Sequence, residues 1–165
     1  MLANYAAAIA PGALNPVPIS CHVASLYWLF KDELKRDPVL ADFTGPLYNP
    51  TNVIGQMLPY GRRITKPVFG NLALTAGSVI VFVQNQQPRH SCTASTANTV
   101  VGYNQTNWFT GLGVNHGFSQ HNITEIRWRG GLSNKDDVQG NQGSWCQLIA
   151  VPEVAARAII RQLCT

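Results

Sequence analysis

Charge is scarce in this sequence. Asp, Glu, Lys and Arg make up 12% of its 165 residues, about half the usual ~25%. Twelve basic against eight acidic residues give a formal charge of +4. The basic residues are scattered, and none forms a stripe able to follow a phosphate backbone, so a nucleic-acid ligand is not expected. Long apolar runs are missing too. The longest is roughly a dozen residues around Leu72–Val83, well short of the ~20 that a spanning helix needs. The opening MLANYAAAIAPGAL has neither the basic start nor the cleavage pattern of a secretory leader. There is no P-loop, no GxGxxG and no GxSxG, and no cofactor is expected. The four cysteines, Cys21, Cys92, Cys146 and Cys164, lack the CxxC spacing of metal or redox sites. A domain of this size does not depend on disulfide staples, so free thiols are expected.

What is present is enough apolar material for a real core. Forty-five per cent of residues are apolar and four are Trp, which fits one domain spanning residues 1–165. Residues 1–19, with Pro11, Pro16 and Pro18, read as an irregular lead-in. Ser20 is a good N-cap, and Val23, Leu26, Tyr27, Phe30 and Leu34 recur at helical spacing behind it. Asp37-Pro38 stops that helix. Residues 38–70 read as a long loop with a short helix near 52–58, a length that predicts a role in shaping a cleft. The second half reads as strands at 78–83, 91–95, 99–103, 123–129 and 144–151, with a hairpin turn near Thr96-Ala97-Asn98. Pro152 opens a last helix. The predicted class is α+β: an N-terminal helix packed on a small antiparallel sheet, with a C-terminal helix.

Cys21 stands out chemically. It falls in the first helical turn, where unpaired N–H groups and the helix dipole stabilise a thiolate. It also lies about 200° round the helix from Val23, off the apolar stripe, on the side of Ser25 and Trp28. The alternative is a small buried hydrophobe, since free cysteine is often interior. A thiol nucleophile needs a base. His22 is adjacent but points about 100° away. His90, opening a strand after SVIVFV and QNQQPR, is the better candidate, because a sheet there presents its imidazole to a facing helix. With the turn centred near 96–97, Asn104 falls within one residue of facing His90 and is the candidate to fix its tautomer. Asp136 and Asp137 are the rivals for that role. His116 and His121 read as polar loop residues, and no further ligands are spaced for zinc.

This order resembles the papain-like superfamily in its small bacterial form, which includes NlpC-type and CHAP amidases and toxin effectors. The pieces that carry the likeness are Ile19-Ser20-Cys21-His22-Val23, Ala76-Gly77-Ser78-Val79-Ile80-Val81-Phe82, His90-Ser91-Cys92 and Gly102-Tyr103-Asn104. The resemblance implies a thiol hydrolase of the papain-like fold with Cys21 as nucleophile, His90 as base and Asn104 as orienter. Its substrate would be a protein or peptide amide, cleaved by a peptidase or deamidated at glutamine or asparagine, or else a peptidoglycan stem peptide. It also implies a bacterial effector or toxin, secreted without a cleaved leader and met by an immunity protein. A reading of another class is a non-catalytic module binding sugar or protein through Tyr103, Trp108, Phe109, Trp128 and Trp145.

Overall fold

The computed structural model describes residues 20–38, 42, 49–69, 72–105, 107–109 and 117–164. Ser20 starts the first helix as expected: its side chain accepts the N–H of Val23, and α1 runs Cys21–Leu34 before Lys35 closes it in the left-handed region. Asn49 caps α2, Pro50–Met57, by accepting the N–H groups of Thr51 and Asn52. Among the described residues seven strands follow: β1 Arg62–Arg63, β2 Val79–Gln84, β3 Gln87–Ala94, β4 Thr99–Tyr103, β5 Phe118–Asn122, β6 Val138–Gln139 and β7 Trp145–Val151. The chain closes with α3, Glu153–Cys164. No described helix is long and apolar enough to cross a membrane.

The sheet is antiparallel, in the order β1-β7-β2-β3-β4-β5, with β6 paired to β7. Strand alternation sorts its side chains into two layers. Val79, Val81, Val83, Val101 and Val151 meet the helices, including Leu26, Phe30, Ile54 and Ile160. Ile80, Phe82, Cys92, Ala94, Val100 and Leu148 face the other way, against Trp108, Phe109, Ile123 and Val138. The expected α+β arrangement is therefore present, with helices on one face and loops sealing the other.

Three local departures have physical causes. The residues between the strands 78–83 and 91–95 are not loop but a tight hairpin. Asn85 and Gln86 both take positive φ, 50° and 62°, the two-residue turn whose twist suits paired strands. The predicted strand over 123–129 begins instead as a 3₁₀ turn, Ile123–Glu125. Asn122 and Glu125 close a reciprocal capping box there, which commits the backbone to a helical turn. Only Trp128 bridges to Val138 in that stretch. Finally, α1 is not amphipathic in its setting: every residue from His22 to Phe30 is buried, because the helix is wedged between β3 and α3. Leaving the apolar stripe thus does not carry a side chain to solvent.

Candidate functional site

The site is built where β4 leaves β3. Those strands pair only at Thr93↔Val101 and Ala94↔Val100. The Ala94 N–H bonds Ser78 O, so by the two-residue period Cys92 and His90 also exchange bonds with β2. The main-chain groups of Ser91 are left turned toward the vacated side. The start of α1 docks there. Ser91 Oγ donates to Cys21 O at 3.5 Å, and His22 Nδ1 meets Ser91 Oγ at 2.7 Å. Three main-chain N–H groups, of Ser91, His22 and Cys21 itself, favour a charged sulfur at Cys21. Burial opposes them and is the larger effect, so the thiol lies above its ordinary pKa rather than below it.

That reverses an expectation drawn from the helix terminus alone. The dipole and the amides act on Cys21, but the half-buried sulfur has lost more hydration than they replace. Cys92 and Cys146 are buried, whereas Cys164, like Cys21, is half-exposed, and all four are unpaired. Iodoacetamide is therefore expected to reach Cys21 and Cys164 first. Modification of Cys21 should be slow at pH 6 and accelerate above pH 8, as read by peptide mapping. Rapid, selective alkylation of Cys21 at pH 6 would show that burial does not hold its thiol up.

His90 does not face the helix. Its cross-strand partner is Phe82, so its ring shares the layer of Phe82 and Cys92, away from α1. It stacks on Trp108 at 4.9 Å and 8° and lies 5.5 Å from the Phe82 ring. Burial, followed by the charge of His22, pushes its pKa down to about 3, and Gln105 acts in the opposite sense. Nε2 of His90 and Oε1 of Gln105 are both buried without a hydrogen-bond partner. No hydrogen bond joins His90 to Cys21. Burial first, and the nearby Cys21 second, push the Cys92 thiol up. His22 is likewise neutral, held down to about 4 by burial and partly offset by the Pro88 carbonyl.

Asn104 is misplaced for the role expected of it. The hairpin register does carry it opposite His90, but pairing stops before it. Asn104 takes φ 57°, is exposed, and bonds through its N–H to Gly117 O. The next residue, Gln105, turns inward instead and is buried. Its Nε2 donates to Ser119 O at 2.7 Å, which leaves its carbonyl oxygen for the His90 side. Gly102 makes room: a Cβ there would sit 2.9 Å from Cys92 Cβ and 3.1 Å from Gln105 Cδ. Asp136 and Asp137 are engaged elsewhere, Asp136 with the Lys66 N–H and Asp137 with Arg63 at 2.9 Å.

His121 is not a loop residue but a buried member of β5. Nδ1 meets Glu125 Oε2 at 2.7 Å and Nε2 meets Ser119 Oγ at 3.1 Å, with Phe109 stacked on the ring at 5.0 Å. The pattern Ser-x-His-x₃-Glu, read on one strand face and into a capping box, was the signal for this group. His116 lies outside the described residues. Among the described residues no group of three or more His, Cys, Asp or Glu is placed to hold a metal ion. The aromatic surface imagined for a binding module is largely spent inside: Trp108 and Phe109 are buried, and Arg129 covers Trp145 at 5.2 Å. A cleft of about 690 Å³ lies along Arg62, Ile64, Leu74 and Glu153 and includes none of the expected site residues. Comparison with family models, with curated proteins and with solved structures finds no match to this chain.

Proposed function

We propose that the chain is a papain-like thiol hydrolase acting on a protein or peptide amide through Cys21. The observation that carries this reading is a half-exposed Cys21 at the first position of a capped helix whose start is docked on Ser91, where main-chain amides favour its charged form. Those donors suit both the thiolate and the oxyanion that follows its attack. Because burial keeps the resting thiol protonated, proton removal accompanies attack rather than preceding it. The base we propose is His90, whose ring is neutral and whose Nε2 has no hydrogen-bond partner. Because that ring lies in the Phe82 layer, away from α1, the scheme requires a water relay or a swing of the ring to carry the thiol proton to it.

In this scheme the thiol proton passes to the imidazole as sulfur adds to the carbonyl carbon. The C–N bond then breaks, and ammonia or an amine leaves with that proton. Water hydrolyses the thioester and regenerates the thiol. Gln105, not Asn104, is the carboxamide in position to orient the ring. The setting we favour is an exported bacterial effector with a host or rival protein as substrate. The test is the intact mass of a glutamine-rich protein such as casein after incubation with the chain. Mass gains of one amide-to-acid conversion indicate deamidation and fragments indicate proteolysis. An unchanged mass spectrum, identical to that with the Cys21→Ala protein, would reject the reading for protein substrates.

A further inference from the structure

A second constellation in the molecule owes nothing to Cys21. Ser119 and His121 alternate on β5, so their side chains share a face. Ser119 Oγ lies 3.1 Å from His121 Nε2, and His121 Nδ1 lies 2.7 Å from Glu125 Oε2. A carboxylate only accepts, so in the neutral ring the proton sits on Nδ1 and Nε2 is the acceptor. The Ser119 hydroxyl must then donate to Nε2. This fixes the direction of the chain: hydroxyl to imidazole to carboxylate, the sequence of roles that activates a serine.

The supporting parts are also locked. Glu125 Oε1 accepts the Asn122 N–H at 3.3 Å within the capping box, so the carboxylate is held at both oxygens. Phe109 stacks on the imidazole at 5.0 Å and 14°, which fixes the ring plane and keeps water from one face. Gln105 Nε2 anchors the strand at Ser119 O. Ser119 itself is half-buried, not sealed. Among the described residues no strand pairs with the far side of β5, and because Asn104 N–H bonds Gly117 O, the period of the ladder puts Ser119 in exchange with Gly102. It therefore turns the N–H of Gln120, the residue after the serine, toward the sheet's outer edge. An edge amide in that position is a donor available to a developing oxyanion.

We infer that Ser119, His121 and Glu125 form a nucleophilic serine site able to cleave an activated ester, separate from the thiol site. Ser119 Oγ adds to the ester carbonyl as its proton moves to His121 Nε2. The acyl C–O bond breaks and the alcohol leaves with that proton. Water then attacks the acyl-serine, giving one proton to Nε2. Collapse returns that proton to Ser119 Oγ and releases the carboxylic acid.

The probe is an alkyl fluorophosphonate, which phosphonylates an activated serine with loss of fluoride, read by peptide mapping. A single adduct on Ser119 is expected, together with hydrolysis of p-nitrophenyl acetate that Ser119→Ala removes. Cys21→Ala should leave the adduct in place, so that failure here and failure of the thiol reading are told apart. His121→Gln should slow labelling by about 10²-fold and Glu125→Gln by less, each compared at matched near-UV circular dichroism. Where a histidine variant does not fold, Ser119→Ala and the labelling of the parent chain decide. No adduct on Ser119 in the parent, or labelling indifferent to the loss of His121, would overturn the assignment.

Discussion

On the proposed thiol mechanism, Cys21→Ala is expected to lower amide turnover by at least about 10³-fold while leaving the unfolding free energy from urea titration within about 0.5 kcal/mol of the parent. The asymmetry follows from where the sulfur sits. It is half-exposed at the first position of α1, and the cap that starts the helix belongs to Ser20. Alanine keeps the helix and the contact of its carbonyl with Ser91 and loses only the thiol. Cys21→Ser should be nearly as inactive, since its hydroxyl holds its proton far more tightly than a thiol and the buried imidazoles are weak bases. Activity retained in both variants, with the fold intact, would remove Cys21 from the chemistry and leave its amide cluster a packing feature.

Acid should unfold this protein early, because two imidazoles are folded away neutral. His90 has its pKa lowered to about 3 and His22 to about 4, against 6.5 in the unfolded chain. Between those limits the unfolded state binds protons that the native state refuses, so stability falls as pH falls. From pH 7 to pH 5 the two rings together remove about 3–4 kcal/mol, an appreciable part of a typical domain's ~5–15 kcal/mol. Urea titrations at the two pH values measure this directly. His90→Phe keeps a flat ring for Trp108 to stack on and takes up no proton, so it should cut the loss by about half. An equal pH dependence in parent and His90→Phe would show that His90 is not held neutral by burial.

The start of α1 was legible because its signals are local: a capping serine, helical spacing and a following Asp-Pro. The turn near residue 97 was legible for the same reason, and its register carried Asn104 to the right height beside His90. What sequence spacing does not carry is the orientation of each site group. The face that His90 takes depends on the pairing of β3 with β2, where the register shifts between Phe82 and Val83. That irregularity has no strong residue signature. The exchange of Asn104 for Gln105 depends on a single left-handed residue at the end of β4. The thiol pKa depends on burial of the helix start against β3, which the dipole argument ignores. His121 looked like loop because its surroundings are rich in Gly and Asn, yet the Asn122–Glu125 capping box beside it was present in the letters.

The vacated side of β3 carries a consequence beyond chemistry. A strand with unsatisfied amides on one side is a template for pairing with a foreign chain. Here the tip of α1 is what occupies that template, through Ser91. Any state in which the helix lifts away, whether during synthesis or in mild acid, uncovers a sticky border. Self-association should therefore track helix undocking, so that the contact of Cys21 and His22 with Ser91 also shields this border.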